Sequence, residues 1–177
     1  MFNDNVSPSF LQLSKPNDKL IVINSASKSF NMTGWRIGWI THPEELGPHI
    51  AKLVQITTTG VPEFLQNGLI SALQNYKLLT KEVRQNLKKS RDLMFQRLVE
   101  WKRVECSVPE AAFYAFFKVK DVRDSLEFAK NLIIDTNVGV APGIAFGESG
   151  EGHLRICFAA QQSFINEIMD RLEPALN

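Results

Sequence analysis

Apolar residues recur along this chain in two rhythms, and the switches between them mark its elements. "KLIVIN", Lys19 to Asn24, is a short aliphatic run closing on a polar residue, the pattern of a buried strand in a parallel sheet. "WRIGWIT", Trp35 to Thr41, reads as a second strand after a polar loop. In "HPEELGPHIAKLVQI" the rhythm turns helical, with Leu46, Ile50, Leu53 and Val54 in step and Pro43 with two glutamates at the start. Gly47 and Pro48 weaken its middle, so this helix starts late or breaks there. Pro62 opens a second helix whose stripe is Phe64, Leu65, Leu69, Ile70 and Leu73. The strongest helical signal runs from Thr80 to Trp101, where Val83, Leu87, Met94, Leu98 and Trp101 share one face.

Beyond Pro109, "AAFYAFFKV" reads as a strand and "DSLEFAKNLIIDT" as a helix capped by Asp124 or Ser125. "VGVAPGIAFGESGEG" is a glycine-rich loop, "HLRICFA" a strand, and "SFINEIMDRL" a last helix with Ser163 as its cap. The N-terminal "MFNDNVSPSFLQLSKPND" is polar, holds Pro8 and Pro16, and reads as irregular chain that builds no core element. The order predicts an α/β portion over residues 1–75 and a small α+β domain over 76–177. Their join falls in the helical stretch between Pro62 and Lys81, without a flexible linker.

Composition sharpens this picture mainly by exclusion. The 177 residues are 44% hydrophobic and 22% charged, globular values that allow a sizeable core. Twenty basic residues stand against 19 acidic ones, a net +1 that gives no electrostatic case for nucleic acid or an anionic membrane. The densest basic stretch, "KKSRDLMFQR", has helical spacing and reads as a solvated helix face. No apolar run is long enough to span a bilayer, and Cys106 and Cys157 lack metal-ligand spacing. Two buried free thiols in a reducing compartment, and a cytoplasmic location, are the expectations that follow.

The candidate chemistry sits in "INSASKSFNMTGWRIGW", Ile23 to Trp39. A lysine at the exit of a strand can attack a carbonyl carbon and form an imine. Serine hydroxyls and an arginine between two glycines can hold a phosphate: hydroxyls donate, guanidinium pairs bidentately, and glycine lets backbone approach. The two together suit pyridoxal 5'-phosphate. Ser25-Ala26-Ser27-Lys28 also satisfies S-x-x-K, the nucleophile signature of penicillin-binding proteins and β-lactamases. Those enzymes need a K-T-G that this chain lacks and continue a helix where "WRIGWIT" stands, which disfavours that reading.

"SASKSFNMTGWRIGW" resembles the cofactor-lysine segment of the class I aminotransferases, the fold type I pyridoxal phosphate enzymes similar to aspartate aminotransferase. "PEAAFYAFFKV" resembles the family's P-x-G-A-F-Y strand, with Ala111 where glycine is usual. "VAPGIAFGESGEGHLRICFA" is similar to its V-x-P-G-x-x-F-G and L-R-x-x-F-A segment. The resemblance implies that Lys28 carries the cofactor and shuttles the substrate proton. It implies that Ser25 and Arg36 bind the phosphate, with Ser27 secondary, and that Arg155 clamps the substrate carboxylate. The substrates implied are an amino acid and a 2-oxo acid, in a homodimer. No metal is implied.

Without the motif, Arg155 reads as a strand arginine paired with a glutamate. His153 shares its strand parity and reads as a spare polar residue, and Tyr114 as packing. His42 and His49 have no partner legible in sequence.

The resemblance covers the family's C-terminal part. No D-x-x-Y element, whose aspartate would meet the pyridine nitrogen, precedes Lys28: Asp4 and Asp18 are followed three residues on by Ser7 and Ile21. The chain thus reads as beginning after that element. Two readings remain open: part of an aminotransferase that is inactive alone, or a non-catalytic remnant that acts by associating with another chain.

Overall fold

A computed structural model describes residues 1–3, 6–15 and 18–177, so Asp4 and Pro16 lie outside the described residues. The chain divides into two compact units, Val6–Val83, and Met1–Asn5 with Arg84–Asn177.

In the C-terminal unit a four-stranded sheet has the order β3-β4-β6-β5, from β3 (Val104–Glu105), β4 (Tyr114–Val119), β5 (Ala141–Pro142) and β6 (His153–Cys157). Every pair is antiparallel. Period-2 alternation turns Ala115, Phe117, Val119, Leu154 and Ile156 into the core. They meet Met94, Phe95 and Leu98 of α4 (Tyr76–Leu98), Ala129 and Leu132 of α5 (Ser125–Thr136), and Ile165, Met169, Leu172 and Leu176 of α6 (Gln162–Leu176). The α6 stripe has the 3.6-residue rhythm of a helix buried along one face.

The caps and flanks refine the sequence reading. Asp124 caps α5 by accepting the Glu127 N–H at 2.9 Å. Ser163 does not cap α6: the helix begins at Gln162, and the cap residue, Gln161, makes no side-chain capping bond. The long helix starts and ends earlier than its stripe predicts, and Trp101 is buried just beyond it. The basic stretch on α4 is only partly solvated. Arg91 lies over the Phe2 ring, 4.5 Å from its centre, and donates to the Pro109 carbonyl at 2.9 Å. Phe2 also packs on the core against Phe158, a contribution that the polar N-terminal pattern hides. Cys106 is half-buried, which raises its thiol pKa by desolvation, and Cys157 is exposed rather than buried.

In the other unit β1 (Val22–Ser25) and β2 (Gly38–Thr41) form a two-stranded antiparallel sheet. The parallel pairing expected of "KLIVIN" is not found among the described residues, and Ile23 is 76% exposed. A single turn of helix, α1 (Ala26–Ser29), follows β1 directly. Trp35 and Arg36 lie in a 3-10 turn and its C-cap, so β2 starts later than "WRIGWIT" suggests. The late helix start is as expected: α2 (Gly47–Thr57) begins after a 3-10 turn, with Pro48 in its first turn. Its apolar stripe buries no residue. Pro62 caps α3 (Glu63–Gln74), whose Leu69 and Ala72 are buried. Among the described residues, no helix is long and apolar enough to cross a membrane.

Candidate functional site

The hairpin of β1 and β2 decides what stands near Lys28. Ser25 pairs with Gly38, and the Ala26 N–H donates to the Ile37 carbonyl at 3.1 Å. The turn that carries Lys28 is thereby fixed against the segment that carries Arg36. Gly38 is required for this: a Cβ there would stand 2.2 Å from the Asn24 carbonyl oxygen. The glycine's close approach is therefore to β1. Gly34, by contrast, has open space where a Cβ would be.

Below the hairpin, Ala26, Ile37 and Leu69 form a small core, edged by Phe30, Met32, Val61 and Leu65. Ala26 and Ser27 are its inward residues, and Lys28 and Ser29 face solvent. The Trp35 ring lies on Gly68 of α3, where no side chain would fit, and this holds the turn before Arg36.

Each donor has a defined state. Ser25 caps α1, its Oγ accepting the Ser27 N–H at 3.1 Å. That bond uses an oxygen lone pair and leaves the hydroxyl proton for an outside acceptor. Ser27 is buried, so Ser25 offers the more accessible hydroxyl. Arg36 has φ 52° and ψ 43°, a left-handed conformation that costs an ordinary residue about 1–2 kcal/mol. Its Nη1 donates to the Thr33 carbonyl at 2.8 Å, and the exposed guanidinium keeps further N–H groups for an anion. A primary amine, a hydroxyl and a guanidinium on one short hairpin fit a phosphorylated aldehyde in donor chemistry.

Arg155 belongs to the C-terminal unit, on β6 opposite Phe116 of β4. With alternate residues turned inward, Tyr114, Phe116, His153 and Arg155 share the outer sheet face. The guanidinium lies over two rings, 4.3 Å from the centre of Tyr114 and 4.3 Å from that of Phe146. No carboxylate among the described residues pairs with it, so the glutamate partner considered from sequence is not found. His153 stacks on Phe116 with ring centres 5.0 Å apart.

Phe146 is the residue that sequence reading passed over, although it closes the "PGIAF" segment. Its loop is tied to α5 by a polar knot. Ile144 N–H donates to the buried Ser125 Oγ at 3.2 Å, and the Gly152 and Ser125 N–H groups donate to Glu151 Oε1 at 2.9 and 2.6 Å. Those bonds, from Gly152 first and then Ser125, hold the Glu151 carboxyl below its ordinary pKa.

The family model for aminotransferase class I and II matches residues 2–172. A probable N-acetyl-LL-diaminopimelate aminotransferase of Bacillus subtilis is 35% identical over 88% of this chain and 40% of its own length. The solved aspartate aminotransferase from Thermotoga maritima superposes with a TM-score of 0.84 at 30% identity, over 98% of this chain and 44% of that one. The aromatic aminotransferase from Pyrococcus horikoshii gives 0.82 at 32%, over 88% and 42%. This chain thus spans roughly two-fifths of the length of the curated relatives it matches. Agreement in sequence and backbone across nearly the whole of these residues establishes that the chain belongs to the class I and II aminotransferases.

Proposed function

We propose that this chain supplies the reactive lysine, part of the phosphate site and the carboxylate clamp of a pyridoxal phosphate-dependent aminotransferase acting on an L-amino acid and a 2-oxo acid. The observation that carries the reading is the Ser25–Gly38 pairing, which brings the lysine turn against the arginine segment. Ser25 and Arg36 bind the phosphate, one by its hydroxyl proton and the other by paired N–H groups, with Ser27 behind them. When bound, the cofactor supplies a ring that takes up the electron pair left by the departing α-proton. Lys28 Nζ moves that proton at the substrate α-carbon. Arg155 takes the substrate carboxylate in its guanidinium plane and so fixes the α-carbon's place.

The reaction belongs to a protein that joins these residues to others such as the relatives carry outside the matched segment. Residues 1–75 are the cofactor-binding part and 76–177 the small domain. A homodimer is the assembly that suits the exposed apolar residues of Val6–Val83, such as Ile23 and Ile56. The same exposure favours a second reading, in which the chain acts only by associating with another polypeptide. Free thiols suit a cytoplasmic setting in amino-acid metabolism.

In such a joined protein, Lys28→Ala should abolish amino transfer and borohydride-trappable cofactor. Arg155→Ala should chiefly raise KM for both substrates, with some loss of kcat. Cofactor still trapped in the Lys28 variant would refute the lysine's role. The 177-residue chain alone should bind pyridoxal phosphate weakly and form no keto acid. Tight stoichiometric binding with turnover would show that these residues suffice.

A further inference from the structure

We infer that Tyr114 and Phe146 are positioning residues, whose ring faces clamp the Arg155 guanidinium in the plane that receives a carboxylate. The inference rests on the carboxylate role proposed for Arg155. It goes beyond that role by assigning the arginine's orientation to two aromatic side chains.

Two ring faces meet one guanidinium. Both ring centres lie 4.3 Å from the guanidinium carbon. Ring faces attract the cation without using its N–H groups, which all lie in the guanidinium plane. An arginine held by a glutamate would spend those donors on its neighbour. Here no hydrogen bond or ion pair consumes them among the described residues. The side chain is thus held in place while its binding edge stays available. Rotamer freedom that a solvated arginine would lose on binding is already lost in the fold.

The two rings come from separate places. Tyr114 is on β4, and the register sets it on the same outer face as Arg155, two pairs along the strands. Phe146 arrives on the loop after β5, which the Ser125–Glu151 knot ties to α5. A further ring supports it: Phe116 meets Phe146 edge to face at 5.9 Å and stacks on His153 behind. Phe146 is 46% exposed, so it contributes little to the core and is available to be changed without unfolding the unit.

The test uses the 177-residue chain labelled with nitrogen-15, with no cofactor. The Arg155 Nε–Hε signal is followed for its relaxation and during titration with 2-oxoglutarate. In the unmodified chain the side-chain N–H should relax like ordered backbone and shift on adding the acid. Phe146→Leu and Tyr114→Leu should each make that N–H mobile and weaken binding by roughly three- to tenfold. Tyr114→Phe and Phe146→Tyr, which keep the ring faces, should retain both properties. Backbone amides of β4 and β6 should be unmoved in all four variants.

If the leucine variants keep a rigid Arg155 and unchanged affinity, the inference is overturned. It is also overturned if Tyr114→Phe fails as badly as Tyr114→Leu, since the hydroxyl would then be the effective group. If the unmodified chain shows an ordered Arg155 that no 2-oxo acid shifts, the carboxylate reading fails instead, and a clamp for that purpose falls with it.

Discussion

Leu172 and Leu53 are both leucines on the apolar stripe of an amphipathic helix. Leu172 is fully sealed, whereas Leu53 is 60% exposed. The difference holds for the regions around them. Every fully buried large side chain, from Met94 to Leu176, belongs to the C-terminal unit. In Val6–Val83 the core shrinks to a few residues under the lysine turn, and Ile56 is 81% exposed. An apolar stripe states what a helix can bury, and burial happens only where a partner surface exists. One unit closes a core from its own strands and helices. The other keeps faces suited to a neighbour.

The largest consequence should be visible in amide exchange. Amides of β4, β6 and α6 should open only with the whole unit, while those of β1 and α2 exchange through local opening about a thousandfold faster or more. Equal protection across both units would break the comparison. A pair of truncations sharpens it. Leu172→Ala should cost about 2–5 kcal/mol in urea unfolding, and Leu53→Ala within about 0.5 kcal/mol of nothing. A large loss at Leu53 would mean that something covers it in solution.

Smaller effects test how the self-sufficient unit holds its ends. Asp124→Ala removes the α5 cap and should cost about 1 kcal/mol. Ser163→Ala should change stability by less than about 0.5 kcal/mol, because Ser163 caps nothing. Thermal unfolding of both would decide between them, and the reverse order would restore Ser163 as the cap.

The smallest effect is a pH dependence at Glu151. Its folded pKa is lowered, so its charged form is the stabilising one. That contribution is complete above the ordinary carboxylate value and fades as pH falls through the lower folded value. Glu151→Gln should therefore lose less stability on acidification than the unmodified chain. Parallel losses in the two chains would show that ionised Glu151 is not what ties the loop carrying Phe146.

The C-terminal half of the fold was legible because its signals are local and agree with one another. The alternation of β4, the α6 stripe and Asp124 before its helix each report a period or a cap that a few neighbouring residues determine. Ser163 misled because a serine before a helical stripe looks alike whether it caps the helix or sits inside its first turn. "KLIVIN" misled for another reason: apolar composition specifies a strand, while parallel or antiparallel pairing depends on which strand is there to pair with.

The same division runs through the candidate site. By itself the sequence determined the candidate groups and their order, since Lys28, Ser25, Arg36 and Arg155 stand in segments that resemble the family's motifs. Tertiary structure alone decided what those groups do with their bonding capacity. It set Gly38 against the Asn24 carbonyl, placed Arg36 in a left-handed turn, and put Arg155 over two rings rather than beside the glutamate that its strand position alone suggests. The reason is physical. A side chain's type is fixed by one codon, but its partners are residues distant in sequence, brought within reach only when strand register and packing are settled.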